Sequence, residues 1–386
     1  MTVRWYCGRF VISFPRMHVL RGPIFAFALL FMVVTVLICS PRMSPGLILP
    51  TQIEYVTPSQ PLISPKSIYS DDYHRLIDLT EFDFLFNHFP CNKSVTGGQT
   101  APSLVLLIFV HSHPANLAKR QIIRDTWGSW AYIQRADIAI NLIFLLGEVL
   151  NASLQERIRI ENKITNDIVQ GRFIDSYRNL TYKHVMGLKW CTYFCPQASY
   201  VLKTDDDVFV NTPALVRFLT VPRPDSPIKL AADRFILCNR IDNARVKRSH
   251  RSKWYVSPKE YSSNVYPSYC MGCTILYSYD VVKRLYEKAQ VAPYFWVDDV
   301  HITGILSKQC NLNLTRVDNL MLEQSQVEGI ILNPHKESEA SWFKFWKKDS
   351  LAWGKGKEQF LYATELRPND IRKLWKIIKD NNFQIT

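Results

Sequence analysis

From Ser103 to Lys203, short runs of consecutive apolar residues alternate with longer stretches whose apolar positions recur every three or four residues. The first pattern marks strands covered on both faces, and the second marks helices. SLVLLIFV at Ser103–Val110 reads as a buried strand, followed by a helix over Asn116–Trp127. INLIFLLG from Ile140 to Gly147 is a second strand, with a polar helix over Ser153–Val169 behind it. Phe173 and Ile174 mark a short third strand, Leu180–Tyr193 a third helix, and Tyr200–Lys203 a fourth strand. Strands alternating with helices imply an α/β fold whose sheet has parallel strands joined by right-handed crossovers, a Rossmann-type half. Beyond Thr212 the pattern loosens, with strands near Ile228 and over Thr274–Ser278, then a helix over Tyr279–Ala289. Near the carboxyl end Ile371, Leu374, Trp375 and Ile378 repeat at helical spacing behind Asn369 and Asp370 as caps, which describes a helix docked on the core.

The amino-terminal region has a different texture. Residues 23–39, PIFAFALLFMVVTVLIC, form an uncharged run of 17 residues, at the short end of what spans a bilayer. Arg4, Arg9, Arg16 and Arg21 precede it. Because basic residues collect on the cytoplasmic side, residues 1–22 are expected as a cytoplasmic tail and 23–39 as a type II signal anchor. The Pro- and Ser-rich residues 40–100 read as a luminal stem, with only Asp78–Phe89 suited to ordered packing, and 101–386 as the catalytic domain. Four Asn-x-Ser/Thr sequons, at Asn92, Asn151, Asn179 and Asn313, agree with a luminal location. So do seven cysteines beyond the apolar run, which in an oxidising lumen form disulfides more readily than metal sites and leave at least one thiol over. Cys270 and Cys273 make a C-x-x-C, but no second such pair is present to complete a zinc site.

Composition narrows the partners. At 386 residues and 47% hydrophobic content the chain can build a sizeable core, and its formal net charge of +13 favours anionic ligands. In a lumen these are nucleotide sugars and acidic glycans rather than nucleic acid. Against that positive background, YVLKTDDDVFVN places Asp205, Asp206 and Asp207 at the carboxyl end of a strand, where open α/β sheets bind ligands. Three adjacent carboxylates repel one another, and a hard cation such as Mn²⁺ or Mg²⁺ held against a diphosphate offsets that repulsion. A second pair, Asp298 and Asp299, lies in YFWVDDVHITGIL between aromatic and apolar residues, surroundings that raise a carboxylate toward general-base use. One acidic group for a cation and another for a proton is the division a single-displacement glycosyl transfer requires, with inversion at the anomeric carbon.

Four segments together resemble a known family, the β-1,3-galactosyltransferase-like glycosyltransferases of the Golgi, which include β-1,3-N-acetylglucosaminyltransferases and, more distantly, fringe. They are KRQIIRDTWGS at Lys119–Ser129, YVLKTDDDVFVN, KWYVSPKEYSSNVYPSYCMG at Lys253–Gly272, and VDDVHITGIL at Val297–Leu306. The resemblance covers roughly residues 100–340. It implies a GT-A-like Rossmann-type mixed sheet flanked by helices, a UDP-sugar donor, a divalent metal, and transfer of a hexose, galactose foremost, to a glycan on a glycoprotein or glycolipid with a β-1,3 linkage. It also implies roles. Asp207 and Asp205 become metal ligands, joined by His335. Arg120, Arg124, Asp205 and Asp206 belong to the donor side, while Trp254, Tyr255, Tyr269, Gly272 and Asp298 belong to the acceptor side. Asp299 falls at the catalytic base.

Two positions depart from the family pattern. Asp298 stands where a Glu is usual, and Thr274 and Ile275 follow Gly272 where another Gly and an aromatic residue are common. His111 and His113 form an H-x-H expected to line the nucleotide side or cap a turn. The alternative reading is a membrane-tethered glycan-binding protein or chaperone of the same fold without catalysis. A metal-dependent hydrolase is a third, for which the usual His-rich ligand set is missing. The sequence leaves open the donor sugar, the acceptor and the disulfide pairing.

Overall fold

The structure is a computed structural model that describes residues 4–7, 10–13, 72–88, 91, 104–132, 138–220, 234–317, 320–332 and 360–382. The chain divides into two units, 1–63 and 64–386. In the first, β1 (Arg4–Cys7) and β2 (Phe10–Ser13) pair antiparallel. The expected anchor at 23–39 lies outside the described residues, and among the described residues no helix is long and apolar enough to cross a membrane.

The second unit is built on an eight-stranded sheet. In chain order its strands are β3 (Phe84–Phe86), β4 (Leu104–His111), β5 (Ile138–Glu148), β6 (Ile168–Ile174) and β7 (Tyr200–Asp205), followed, after the short β8 (Phe209–Val210) outside this sheet, by β9 (Phe235–Ile241), β10 (Tyr269–Ser278) and β11 (Asn313–Arg316). Their spatial order is β11-β9-β10-β7-β4-β5-β6-β3. β7, β4, β5 and β6 run parallel, while β10 and β3 pair antiparallel to the edges of that group. The parallel strands expected from the alternating pattern are present, set within the mixed α/β sheet that the family resemblance implied. Strand β4 shows why its sequence lacks an in-out alternation: Leu106, Ile108 and Val110 enter one core cluster and Leu107 and Phe109 the other. Both faces of a parallel strand are covered, so every position favours an apolar residue.

Helices α1 (Leu117–Asp125), α2 (Ala152–Thr165), α3 (Leu180–Phe194), α4 (Thr212–Thr220) and α5 (Tyr279–Ala289) flank the sheet. α1 and α4 supply Ile122, Ile123 and Leu215 to the first cluster, and α3 and α5 supply Val185, Leu188 and Leu285 to the second. After α6 (Gln324–Leu332), the carboxyl-terminal α7 (Pro368–Asn382) packs Ile371, Leu374, Trp375 and Ile378 into the first cluster. Asn369 and Asp370 lie inside the first turn of α7 rather than capping it, because the helix begins at Pro368, and Asp370 accepts from Arg367 Nε at 2.8 Å. The strand expected near Ile228 falls outside the described residues.

Two of the differences from the sequence reading have a clear physical cause. Helix α2 ends at Thr165 instead of Val169, because Asn166 takes a left-handed conformation with φ 50° and Asp167 turns inward to Arg124. Asn tolerates that conformation at a helix end better than most residues. The residues released become β6, far longer than the two-residue strand expected. The other difference concerns the stem, since residues 72–88 pack onto the body built around the eight-stranded sheet. Leu76 and Phe82 are fully buried, β3 closes one edge of the sheet, and buried Lys189 donates to the Asp72 and Arg75 carbonyls at 2.6 and 2.8 Å. Disulfide Cys91–Cys195, spanning 104 residues of sequence, fastens this segment to the end of α3, and Cys238–Cys270 joins β9 to β10. With Cys270 so paired, Cys273 remains a free thiol and the C-x-x-C is not a zinc site.

Closing so long a loop restricts the unfolded chain. Replacing Cys195 with Ser is expected to lower the unfolding free energy by about 2–4 kcal/mol, read from urea midpoints, with an unchanged midpoint counting against that role.

Candidate active site

Parallel pairing of β4 with β7 sets His111 opposite Asp205, so both strands end at one edge of the sheet. β10, antiparallel to β7, brings Gly272 to the same place, where Lys203 Nζ donates to the Gly272 carbonyl. Asp298 and Asp299 then arrive at the start of a π-helical run, Val300–Leu306. Such wide turns concentrate at functional sites. The two acidic stretches, far apart in sequence, line a single cavity of about 430 Å³ with Lys119, Lys183 and Lys203. The convergence required by the sequence reading is therefore met.

The carboxylates differ in what holds them. Asp206 is buried and fully engaged: Oδ2 accepts from Ser112 Oγ and Asn116 Nδ2 at 2.8 Å each and from the His113 N–H at 3.3 Å, and Oδ1 accepts from Lys119 Nζ at 3.0 Å. Its work is to fix the loop after β4. Asp205 meets Lys203 Nζ at 2.5 Å; desolvation nevertheless pushes its carboxyl up to about 6. Asp207 has 43% of its side chain exposed and only a 3.6 Å ion pair to Lys119, which leaves its oxygens open to the cavity.

Asp298 and Asp299 are held in opposite states. Although desolvation works against ionisation, His184 Nδ1 at 3.2 Å from Asp298 Oδ2, together with Lys203, holds that carboxyl below the ordinary range. Asp299 is raised to about 7, first by desolvation and then by the charge of Asp298 beside it. A carboxylate near neutrality in a cavity wall is suited to taking a proton. Gly272 leaves it room: a Cβ at 272 would stand 3.3 Å from the Asp299 Cβ and 3.5 Å from its Oδ2.

A second cavity of about 400 Å³ shares Tyr177, Leu180, Asp298 and Asp299 with the first and adds Arg245, Lys247, Trp254, Tyr266, Tyr269 and Trp296. Trp254 and Tyr269 thus lie in its wall, while Tyr255 stands aside with its ring tilted against that of His250, centroids 4.0 Å apart. Gly272 lines the first cavity only and Asp298 lines both, each beside Asp299.

Arg120 and Arg124, expected on the donor side, do not line either cavity. Arg120 is fully buried and directs its donors to both Glu161 oxygens, Ser112 Oγ and the His113 and Pro114 carbonyls, while Arg124 clasps Asp167 and Glu161. The two acids buried on the α2 side draw both inward, and Arg120 supports the His113–Pro114 loop from behind. His113 caps a turn by accepting from the Ala115 N–H at 3.2 Å, and His111 is held neutral, well below the ordinary imidazole range, chiefly by burial. His335 and Asn92 lie outside the described residues. Asn151 and Asn313 are exposed, as glycan carriers must be, whereas Asn179 is half-buried and donates to the Ile174 carbonyl at 2.8 Å.

Several site residues carried a signal that sequence reasoning passed over. Lys203 interrupts an apolar strand, and Lys183 and His184 interrupt the buried face of α3. Lys183 Nζ reaches the Ser112 carbonyl at 2.7 Å and Asp175 at 2.8 Å; His184 also meets the Tyr277 hydroxyl at 3.1 Å. Charged groups buried in apolar elements are held there by partners, and here the partners are the site.

Among known proteins, a family model described as Galactosyltransferase matches residues 118–318. Beta-1,3-galactosyltransferase 5 from Pan paniscus is 36% identical over 216 residues, 56% of this chain and 68% of that protein. UDP-GalNAc:beta-1,3-N-acetylgalactosaminyltransferase 1 from Sus scrofa is 36% identical over 242 residues, 60% of this chain and 66% of its own length. Beta-1,3-galactosyltransferase 1 from Mus musculus is 34% identical over 235 residues, covering 61% and 67%.

The raised Asp299 carboxyl has a consequence for stability. Between its ordinary 3.8 and about 7 the native state keeps a proton that the unfolded chain has released. Stability from this group therefore falls as pH rises through that window and levels off above it. Asp299→Asn removes the ionisation, and is expected to raise the unfolding free energy at pH 8 by about 1–3 kcal/mol with little effect at pH 4. Denaturant unfolding at both pH values checks this; equal effects would contradict the raised carboxyl.

Proposed function

The chain belongs to the galactosyltransferase family, and from that membership we propose that it transfers a hexose, galactose foremost or an N-acetylhexosamine, from a UDP-sugar to a hydroxyl of a glycan acceptor, inverting the anomeric centre to give a β-1,3 linkage. The observation that carries the reading is the position of Asp299. It lines both cavities, so a donor sugar held in one and an acceptor hydroxyl held in the other meet at its carboxylate.

In this reading the diphosphate lies at the carboxyl end of β7. The donor set there consists of hard carboxylate oxygens, from Asp207 and the second oxygen of Asp205, while Asp206 is occupied by the loop. Among the described residues no group of three His, Cys, Asp or Glu side chains stands ready to hold a metal ion. Mg²⁺ and Mn²⁺ commonly take only one or two protein carboxylates beside substrate phosphates and water, so Asp207 and Asp205 fit such an ion. When bound, it supplies positive charge against the departing diphosphate. Lys119 pairs with Asp207 and Lys203 with Asp205, and Asp298, kept ionised, holds the Asp299 carboxyl high enough to accept the proton of the attacking hydroxyl. The aromatic walls of the second cavity offer faces on which a sugar ring packs. With the sheet, this is a GT-A-type catalytic domain. The apolar run 23–39 and the sequons favour a single-pass type II protein of the Golgi membrane with its catalytic part in the lumen.

Incubating the full-length protein with a panel of UDP-sugars, Mn²⁺ and glycan acceptors tests the activity, and transfer from UDP-galactose or a UDP-N-acetylhexosamine is expected. Asp299→Asn should reduce kcat by about 10²–10⁴-fold while UDP affinity stays unchanged. The wild-type kcat/KM should rise with pH and flatten above about 7, as the base loses its proton. A variant that keeps full turnover, or a profile that falls through this range, removes Asp299 from the role. Asp207→Ala is expected to abolish the Mn²⁺-dependent part of UDP affinity and leave binding in EDTA as it was; equal Mn²⁺ enhancement in both proteins would contradict the ligand assignment.

A further inference from the structure

The second cavity carries two positive charges that neither the fold nor the proposed chemistry uses. Arg245 and Lys247 are both exposed and both in its wall, on either side of buried Val246. Neither has an ion pair or side-chain hydrogen bond among the described residues. The surrounding cations do. Arg178 pairs with Glu260 at 2.9 Å and lies over the Trp296 ring; Arg240 and Arg316 share Asp242 at 2.8 and 2.9 Å. Arg248 donates to the Val256, Tyr261 and Ser263 carbonyls at 2.7–2.9 Å. A third cation, Lys253, stands 4.5 Å above the Trp254 ring and 5.9 Å from that of Tyr177, both of which line the cavity.

Resting on the reading of this cavity as the acceptor side, we propose that the acceptor is an anionic saccharide, one bearing a carboxylate or sulfate that Arg245 and Lys247 receive while its reactive hydroxyl points to Asp299. A neutral sugar needs the aromatic faces of Trp254, Tyr266, Tyr269 and Trp296 and no cation. The walls carry charges of both signs, cationic at Arg245 and Lys247 and anionic at Asp298 and Asp299. That polarity gives a negatively charged ring one favourable orientation, with its charge away from the base and its hydroxyl toward it. Both cations are in contact with water, so their attraction is sensitive to salt.

Binding tests this independently of turnover. Full-length protein with UDP and Mg²⁺ is titrated by ligand-observed NMR with two matched pairs: p-nitrophenyl β-glucuronide against the β-glucoside, and 6-O-sulfated against unsulfated p-nitrophenyl N-acetylglucosaminide. At least one anionic member is expected to bind about tenfold tighter than its neutral counterpart at low salt, the pair that responds identifying carboxylate or sulfate as the group received. The double variant Arg245→Ser with Lys247→Ser should lose that preference, while unchanged UDP affinity in the same samples reports an intact fold. Equal affinities within both pairs overturn the proposal, as does a preference that survives in the variant. So does binding to phosphatidylserine vesicles that the variant loses without any discrimination between saccharides, since the cations then serve a membrane surface. Absence of transfer from every donor would instead fall on the proposed function, and the charge preference would still be read.

Discussion

The site depends on one buried ammonium. Lys203 lies within β7, 2% exposed, and its Nζ bridges Asp205 and the Gly272 carbonyl. It thereby ties β7 to β10 and sets a positive charge among Asp205, Asp298 and Asp299. Burying even one uncompensated charge costs several kcal/mol, and three converging carboxylates cost more, so their assembly at one strand end requires this cation. Asp205 and Asp298 in turn keep the ammonium charged in spite of its burial.

From that compensation follows a division among acids of identical chemistry. Asp206 is saturated by four donors and becomes part of the loop. Asp205 and Asp207 keep oxygens toward the cavity. Asp298 is held ionised by His184, whose other nitrogen meets Tyr277, and its charge helps lift Asp299 toward neutrality. Two neighbouring carboxyls whose surroundings drive them apart supply one fixed charge and one proton acceptor. The substitution of Asp298 for the usual Glu fits this geometry, since the shorter side chain is met by an imidazole from α3.

What was legible in the sequence was the part governed by local pattern. The consecutive apolar runs of β4 and β7 gave the parallel sheet, and the acidic triplet following one of them gave the ligand edge. Tertiary pairing set the rest. α2 stops where Asp167 is drawn to Arg124, a partner 43 residues away. Residues 72–88 leave the expected stem because buried Lys189 needs the Asp72 and Arg75 carbonyls, which no local window shows. Arg120 and Arg124 carried charge suited to phosphate, yet Glu161 and Asp167 turn them inward. Lys203 and His184 were visible as polar interruptions of apolar elements, but part of their meaning lay in distant groups, the Gly272 carbonyl 69 residues beyond Lys203 and the Asp298 carboxylate 114 residues beyond His184.

The separation of roles also fixes a stereochemical outcome. In the proposed reading, a diphosphate at β7 and a base between the two cavities put departure and attack on opposite faces of one sugar carbon, without a covalent intermediate on the protein. Proton NMR of the first product formed from an α-linked UDP-galactose measures that outcome. A β-anomer, with the large coupling between axial H1 and H2, is the expected product; an α-anomer, which demands retention, contradicts the role of Asp299 and the arrangement built around it.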